Sequence, residues 1–283
     1  SKKIHCKKCL TKKHNETVRY SHQVITPTLV SPFMSEIIPL MPEFIRNEDG
    51  SEKQDCEINA SKRWLKRKNP LDLARLLLGD DLYSHEPFCR EVIENGDSFI
   101  FTAKDTSHVK MYEYIKFIEN TAGLETKEEN IGRAHEKEIW KYEFVNEVPI
   151  NGGEDALKVN WFDLKIFDAK TGKQIYHNSF VTNIELTQNN IFDIALVAKS
   201  RWKVENENNN TLKTKGYHLE HNFGHGKENL SELLLAMNIL AFLFHTVIGF
   251  LDKNYAKARA TRTRERFFNE IEIFTTYIYF FSW

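Results

Sequence analysis

Apolar and polar residues along this chain follow two rhythms. Residues 18–30 partly alternate, are rich in β-formers (Val18, Tyr20, Val24, Ile25) and end among Pro27 and Pro32, while residues 36–45 form a second short apolar segment. Together they predict two adjacent strands. Residues 55–68 have helical spacing, with Ala60, Trp64 and Leu65 on one side. Leu76-Leu77-Leu78-Gly79 is a continuous apolar run, the pattern of a short strand buried on both faces. It breaks at Asp80-Asp81. A helix over 86–94, a buried strand over 98–102 and a helix over 109–120 follow.

The rhythm then changes. Residues 140–148, 157–167 and 174–186 alternate as strands, and Asn151-Gly152-Gly153 and Asp168-Ala169-Lys170-Thr171-Gly172 are hairpin turn chemistry. Helices resume over 190–210 and 230–257. This is an α/β chain with an antiparallel β block set inside it. The apolar run 233–251 is long enough to raise the question of a membrane. Asn238 and His245 interrupt it and charged helix flanks it, so a buried core helix, with no membrane partner, is the expectation.

Composition adds limits. The 283 residues are 41% hydrophobic and 28% charged with net charge −1, ordinary for a globular protein and against a uniformly basic coat. Cations cluster instead, at residues 2–13, 62–68 and 253–266, each a solvated face or a nucleic-acid patch. No signal peptide opens the sequence, and four unevenly spaced cysteines do not form a disulfide framework, so a reducing cytoplasm is expected. Cys6-x-x-Cys9 with His14 and His22, in a loop over 5–22, is a candidate Zn2+ site against an unmetallated basic loop. Cys56 and Cys89 read as small core residues. His218, His221 and His225, among glycines, read as a structural or DNA-contacting loop ahead of a metal centre.

Two carboxylates carry the chemistry. Asp80 follows a strand, where open α/β sheets present ligands; the bland alternative, a cap for the next helix, suits Asp81 or Ser84 better. Arg201-Trp202-Lys203-Val204-Glu205, running on to Lys213-Thr214-Lys215, sets an acid among cations. On one continuous helix Arg201 and Glu205 share a face, and Lys213 lies about 40° to 80° around it. An acid for Mg2+ and cations for phosphates suit metal-dependent phosphoryl transfer on nucleic acid. Trp202 reads as a core aromatic or as a brace stacked on a nucleic-acid strand, and Trp64 as core.

On these residues the chain resembles the DDE transposases of bacterial insertion sequences, the group with a β-rich insertion in a ribonuclease-H-like core. Residues 76–84 look like that family's second-acid strand, and Arg201 to Glu205 to Lys213 is similar to its Arg-x3-Glu-xn-Lys signature. The resemblance implies a ribonuclease-H-like mixed sheet flanked by helices (1–125), an inserted antiparallel β subdomain (133–187) and a helical part with the third acid (188–283). It implies Asp80 and Glu205 as ligands of Mg2+ or Mn2+, Arg201, Lys213 and Lys215 as phosphate contacts, and Trp202 against DNA. It also implies transposon ends and target DNA as partners, a homodimer on paired ends, and a nucleoid-associated place in the bacterial cytoplasm.

The chain departs from the pattern. Ala198 stands where the family has tyrosine, and the glutamate-to-lysine gap is one residue longer, which keeps Glu207 a rival to Glu205 and Asp81 a lesser rival to Asp80. Residues 18–45 match the family's second and third strands, Asp49 and Asp55 come too late, and the first acid is therefore expected upstream of Ser1. A non-catalytic nucleic-acid-binding protein and a nuclease of the same fold are the alternatives. The chain is expected to show no Mg2+-dependent strand transfer on DNA; detectable transfer would overturn the first-acid assignment.

Overall fold

The computed structural model describes residues 5–14, 17–47, 55–67, 75–132, 137–221, 224 and 226–279. The chain forms two compact units: Ser1–Ala60 with Trp202–Trp283, and Ser61–Arg201, the latter inserted in the sequence of the former.

The first unit opens with short strands. β1 (Leu10–His14) pairs antiparallel with β2 (Thr17–Ser21), β3 (Gln23–Ile25) with β6 (Glu43–Ile45), and β4 (Thr28–Leu29) with β5 (Ile38–Pro39). The two strands expected over 18–30 and 36–45 are thus adjacent but broken into pieces. Pro27 and Pro39 lack the N–H a continuous ladder needs. Helix α1 (Glu57–Leu65) follows, with Ala60 packed against Leu10 and Ile45.

The second unit is a mixed α/β layer structure. Its elements are β7 (Leu76–Gly79), α2 (Glu86–Glu94), β8 (Ser98–Thr102), α3 (Val109–Thr121), β9 (Glu125–Ile131), β10 (Glu138–Pro149), β11 (Lys158–Asp168), β12 (Gln174–Thr182) and α4 (Ile191–Lys199). One six-stranded sheet runs β7-β8-β12-β11-β10-β9, with β7 parallel to β8 and every other pair antiparallel. The antiparallel block, expected as an inserted subdomain over 133–187, begins earlier, at Glu125, and continues the sheet of β7 and β8. β7, expected to be buried on both faces, is an edge strand whose Leu76 is exposed.

Alternation explains the packing. Trp140, Tyr142 and Phe144 of β10, Phe162, Leu164 and Ile166 of β11, and Phe180 of β12 share one face, covered by Ile191, Ile194, Ala195 and Ala198 of α4. On the other face Phe88 of α2 meets Phe101, and Tyr112 of α3 meets Trp161 edge-on. On that same face the middle of β11 is polar: buried Asp163 accepts from Ser179 Oγ and lies 2.8 Å from His177 Nε2.

Beyond Arg201 the first unit resumes with a π-helical turn (Val204–Asn209), α5 (Asn210–Thr214), α6 (Leu230–Leu251), α7 (Lys253–Ala260) and α8 (Arg264–Tyr277). The continuous helix expected over 190–210 does not form. Ser200 and Arg201 make tight i→i−3 bonds to Val197 and Ala198, and Asn210 N–H then reaches back five residues to the Glu205 carbonyl. The asparagine run bonds through its side chains instead, and buried Asn208 donates to Thr26 Oγ1 at 3.0 Å.

α6 also departs from expectation. Glu232, Ile239, Phe242 and Thr246 form its buried stripe, whereas Leu233, Met237, Leu240, Phe244 and Leu251 are exposed. A helix apolar on all sides has more hydrophobic surface than one contact face can cover. By length and composition alone it is long and apolar enough to cross a membrane. Asp252 ends it ahead of residue 257 by accepting the N–H groups of Asn254 and Tyr255 as the α7 cap. Of the two cysteines expected in the core, Cys89 is buried and Cys56 is exposed.

Phe162 lies opposite both Phe144 and Phe180, stacked on the latter at 5.0 Å between centroids, with no exposed surface. Phe162→Ala should destabilise the protein by about 3–5 kcal/mol, read from the urea midpoint.

Candidate functional site

Asp80 stands directly after β7. Its Oδ1 accepts the Leu82 N–H at 3.0 Å, an Asx turn that bends the chain off the strand and leaves the residue exposed. The preceding residue has to be glycine. A Cβ at Gly79 would lie 2.8 Å from the ring of Phe101 and 2.9 Å from that of Tyr83. Phe101 is fully packed, so nothing there can yield.

Asp81 and Ser84, read from sequence as caps for α2, cap nothing there; His85 holds that position without a side-chain bond. The Asp81 carboxylate instead accepts from Lys104 N–H at 2.6 Å and from Ser107 Oγ at 2.7 Å, fixing the turn before α3. Ser84 Oγ donates to the Asp81 carbonyl and lies 2.6 Å from Nε2 of buried His108, which stacks on His85 at 5.0 Å. This network, illegible in the sequence, braces the loop carrying Asp80. Burial and the neighbouring His85 hold the His108 pKa below the usual histidine value, against the pull of Asp81.

The acids and cations of residues 201–215 divide between units. Arg201 ends the second unit; Trp202, Glu205, Glu207, Lys213 and Lys215 belong to the first. Arg201 lies before the π turn and Glu205 within it, so the two do not sit on one continuous α-helix as expected. Such turns are rare and concentrate at functional sites. Glu205 is exposed, and so is Trp202 at 41%, which removes its core reading. Trp64 lies under the guanidinium of Arg75. Lys213 meets Glu220 at 2.9 Å in an exposed pair of small energetic weight, and Lys215 is exposed.

Glu207 is half-buried and lines a cleft of about 270 Å³ with Phe242, His245, Tyr255, Arg259 and Arg264. Sequence reading missed Lys203: it is buried, and Nζ donates to the carbonyls of Ser31 at 2.6 Å and Met34 at 2.5 Å, tying the π turn to the 31–34 loop. Its adjacency to a tryptophan and an asparagine run was the available signal.

At the N-terminal end, Cys6 Sγ lies 3.7 Å from Cys9 Sγ, and His22 Nε2 lies 3.4 Å and 3.5 Å from the two sulfurs. The side chain of His14 lies outside what the structure describes. The β1–β2 register pairs Leu10 with Ser21, beside these ligands, but His14 with Thr17 at the hairpin's other end. Four residues of strand are roughly 13 Å. Burial pushes the Cys9 thiol pKa up, partly offset by its backbone hydrogen bond with Cys6. Among the described residues this is the one His/Cys/Asp/Glu group with metal-binding spacing, and His218 and His221 form none. His225, Asp49 and Lys68 lie outside the described residues.

Comparison with protein-family models and with curated proteins finds no match to this chain.

His108 gives a pH signature. Its folded pKa is depressed, so stability is full above the unfolded value of about 6.5 and falls as pH drops through it toward the folded value. The urea midpoint should decline between pH 7 and pH 5, less steeply in His108→Gln. Equal slopes for the two proteins would remove His108 from the account.

Proposed function

We propose that this chain is the catalytic-core portion of a DDE transposase of the bacterial insertion-sequence kind, a ribonuclease-H-like core with a β-rich insertion acting on DNA. The observation that carries the reading is the setting of Asp80: an exposed carboxylate directly after an edge strand that runs parallel to its neighbour and is followed by a helix. Ligands of open α/β sheets lie beyond such strand ends. The antiparallel block continues the sheet from β8, away from β7, as an insertion that spares the catalytic strand does.

In this reading Asp80 and Glu205 would each serve as a ligand of a divalent cation. Their hard carboxylate oxygens suit Mg2+ or Mn2+, and both side chains are exposed. In an intact catalytic centre a bound metal would supply activation of a water or 3′-hydroxyl and stabilisation of the leaving oxygen. Arg201, Lys213 and Lys215 hold phosphates flanking the scissile bond, and the exposed face of Trp202 stacks on a base. Transposon ends and target DNA are the partners, engaged by a homodimer in the bacterial cytoplasm.

Mn2+ binding followed by electron paramagnetic resonance tests this reading. Asp80→Ala and Glu205→Ala should each abolish Mn2+ uptake, whereas Glu207→Gln should leave it intact. Lys213→Ala should weaken DNA binding and reduce its salt slope by about 1. Unchanged metal and DNA binding in the two acid variants would leave a non-catalytic nucleic-acid-binding protein.

A further inference from the structure

The hairpin of β1 and β2 is a weak structure by its own resources. Two five-residue strands, Leu10-Thr11-Lys12-Lys13-His14 and Thr17-Val18-Arg19-Tyr20-Ser21, form a separate two-stranded sheet. Leu10 is the β1 side chain that enters a core, beside Ile45 and Ala60. An isolated two-stranded hairpin is marginal in water. Something at its open end has to hold it.

That end carries three soft donors. Cys6-Lys7-Lys8-Cys9 is a tight turn closed by Cys9 N–H to the Cys6 carbonyl at 3.1 Å, with Cys6 N–H directed at Cys9 Sγ at 3.3 Å. The first rung of the ladder, Leu10 opposite Ser21, sets Cys9 beside His22. A tetrahedral zinc with Zn–S of about 2.3 Å and Zn–N of about 2.0–2.1 Å requires its ligands about 3.8 Å apart for sulfur to sulfur and about 3.5 Å for sulfur to nitrogen. The observed edges are 3.7, 3.4 and 3.5 Å. A disulfide would need the sulfurs at about 2.05 Å and would give His22 no reason to join them.

We propose that Cys6, Cys9 and His22 bind one Zn2+ ion, which clamps the β1–β2 hairpin and leaves a fourth coordination position to water or an external donor. Two thiolates and an imidazole exclude Mg2+ and Ca2+, which take oxygen ligands, and select zinc by softness and geometry. Two thiolates neutralise the ion. Among the described residues no fourth His, Cys, Asp or Glu stands with the three. The site is independent of Asp80, Glu205 and the proposed DNA chemistry.

The test is metal analysis of the full chain under reducing conditions, followed by Co2+ substitution. About one zinc per chain should be retained through dialysis, and the Co2+ form should show thiolate charge-transfer absorption with the visible bands of a tetrahedral site. Cys6→Ser with Cys9→Ser should lose both, His22→Cys should keep the metal with shifted bands, and His14→Ala should keep both zinc and bands unchanged. Added cyanide or imidazole should move the visible bands if the fourth position is open; unmoved bands would overturn that part. Should the double cysteine variant not fold, the wild-type Co2+ spectrum decides alone. Absence of the charge-transfer band, or zinc retention equal in wild type and the cysteine variant, would overturn the site.

Discussion

The pairing of β8 on both sides is what the second unit depends on. Its backbone runs parallel to β7 through the register Leu76–Ser98 to Gly79–Phe101, and antiparallel to β12 through Phe180–Thr102 to Thr182–Ile100. One five-residue strand thus joins the segment presenting Asp80 to the whole antiparallel block. It pairs both ways because it is buried on both faces: Phe99 and Phe101 turn to one side, Ile100 to the other. The same ring of Phe101 that packs this strand forbids a side chain at residue 79. The Asp80 loop is therefore fixed from beneath by apolar packing and from the side by the carboxylate of Asp81.

Much of this unit was legible because its signals are dense and local. Alternation through Trp140, Tyr142 and Phe144, and the glycine-bearing turns, marked strands that form almost where expected. What the pattern could not give was how the strands assemble. Nothing in residues 133–187 says whether they close on themselves or extend another sheet, since that is decided by edge pairing between β8 and β12, far apart in sequence. Strand β9 escaped notice because its run Glu125-Thr126-Lys127-Glu128-Glu129-Asn130-Ile131 is polar, as an exposed edge strand tolerates.

The first unit was less legible for a different reason. Its helices are governed by long-range polar contacts that override local propensity. Lys203 reaches carbonyls of the 31–34 loop, Asn208 reaches Thr26, and Glu232 accepts from Nε and Nη2 of Arg46 at 3.1 and 2.8 Å. Each partner lies more than 160 residues away along the chain, so no window of sequence contains the pair. The cysteine motif was legible by spacing, but the placing of His22 beside it rested on strand register. Of the candidate acids, Asp80 was readable from a strand followed by an acid, whereas the π turn around Glu205 was not.

The interleaved order of the two units bears on how the polypeptide emerges from a ribosome. The segment Ser61–Arg201 is contiguous and contains all its own sheet partners, so it can fold as soon as it is synthesised. The other unit is split, and the core around Ile37 needs Leu212, Tyr217, Ile239 and Phe242. At roughly 5–20 residues per second, its leading part waits on the order of ten seconds for those residues. During that interval the nascent N-terminal strands have only local contacts to hold them.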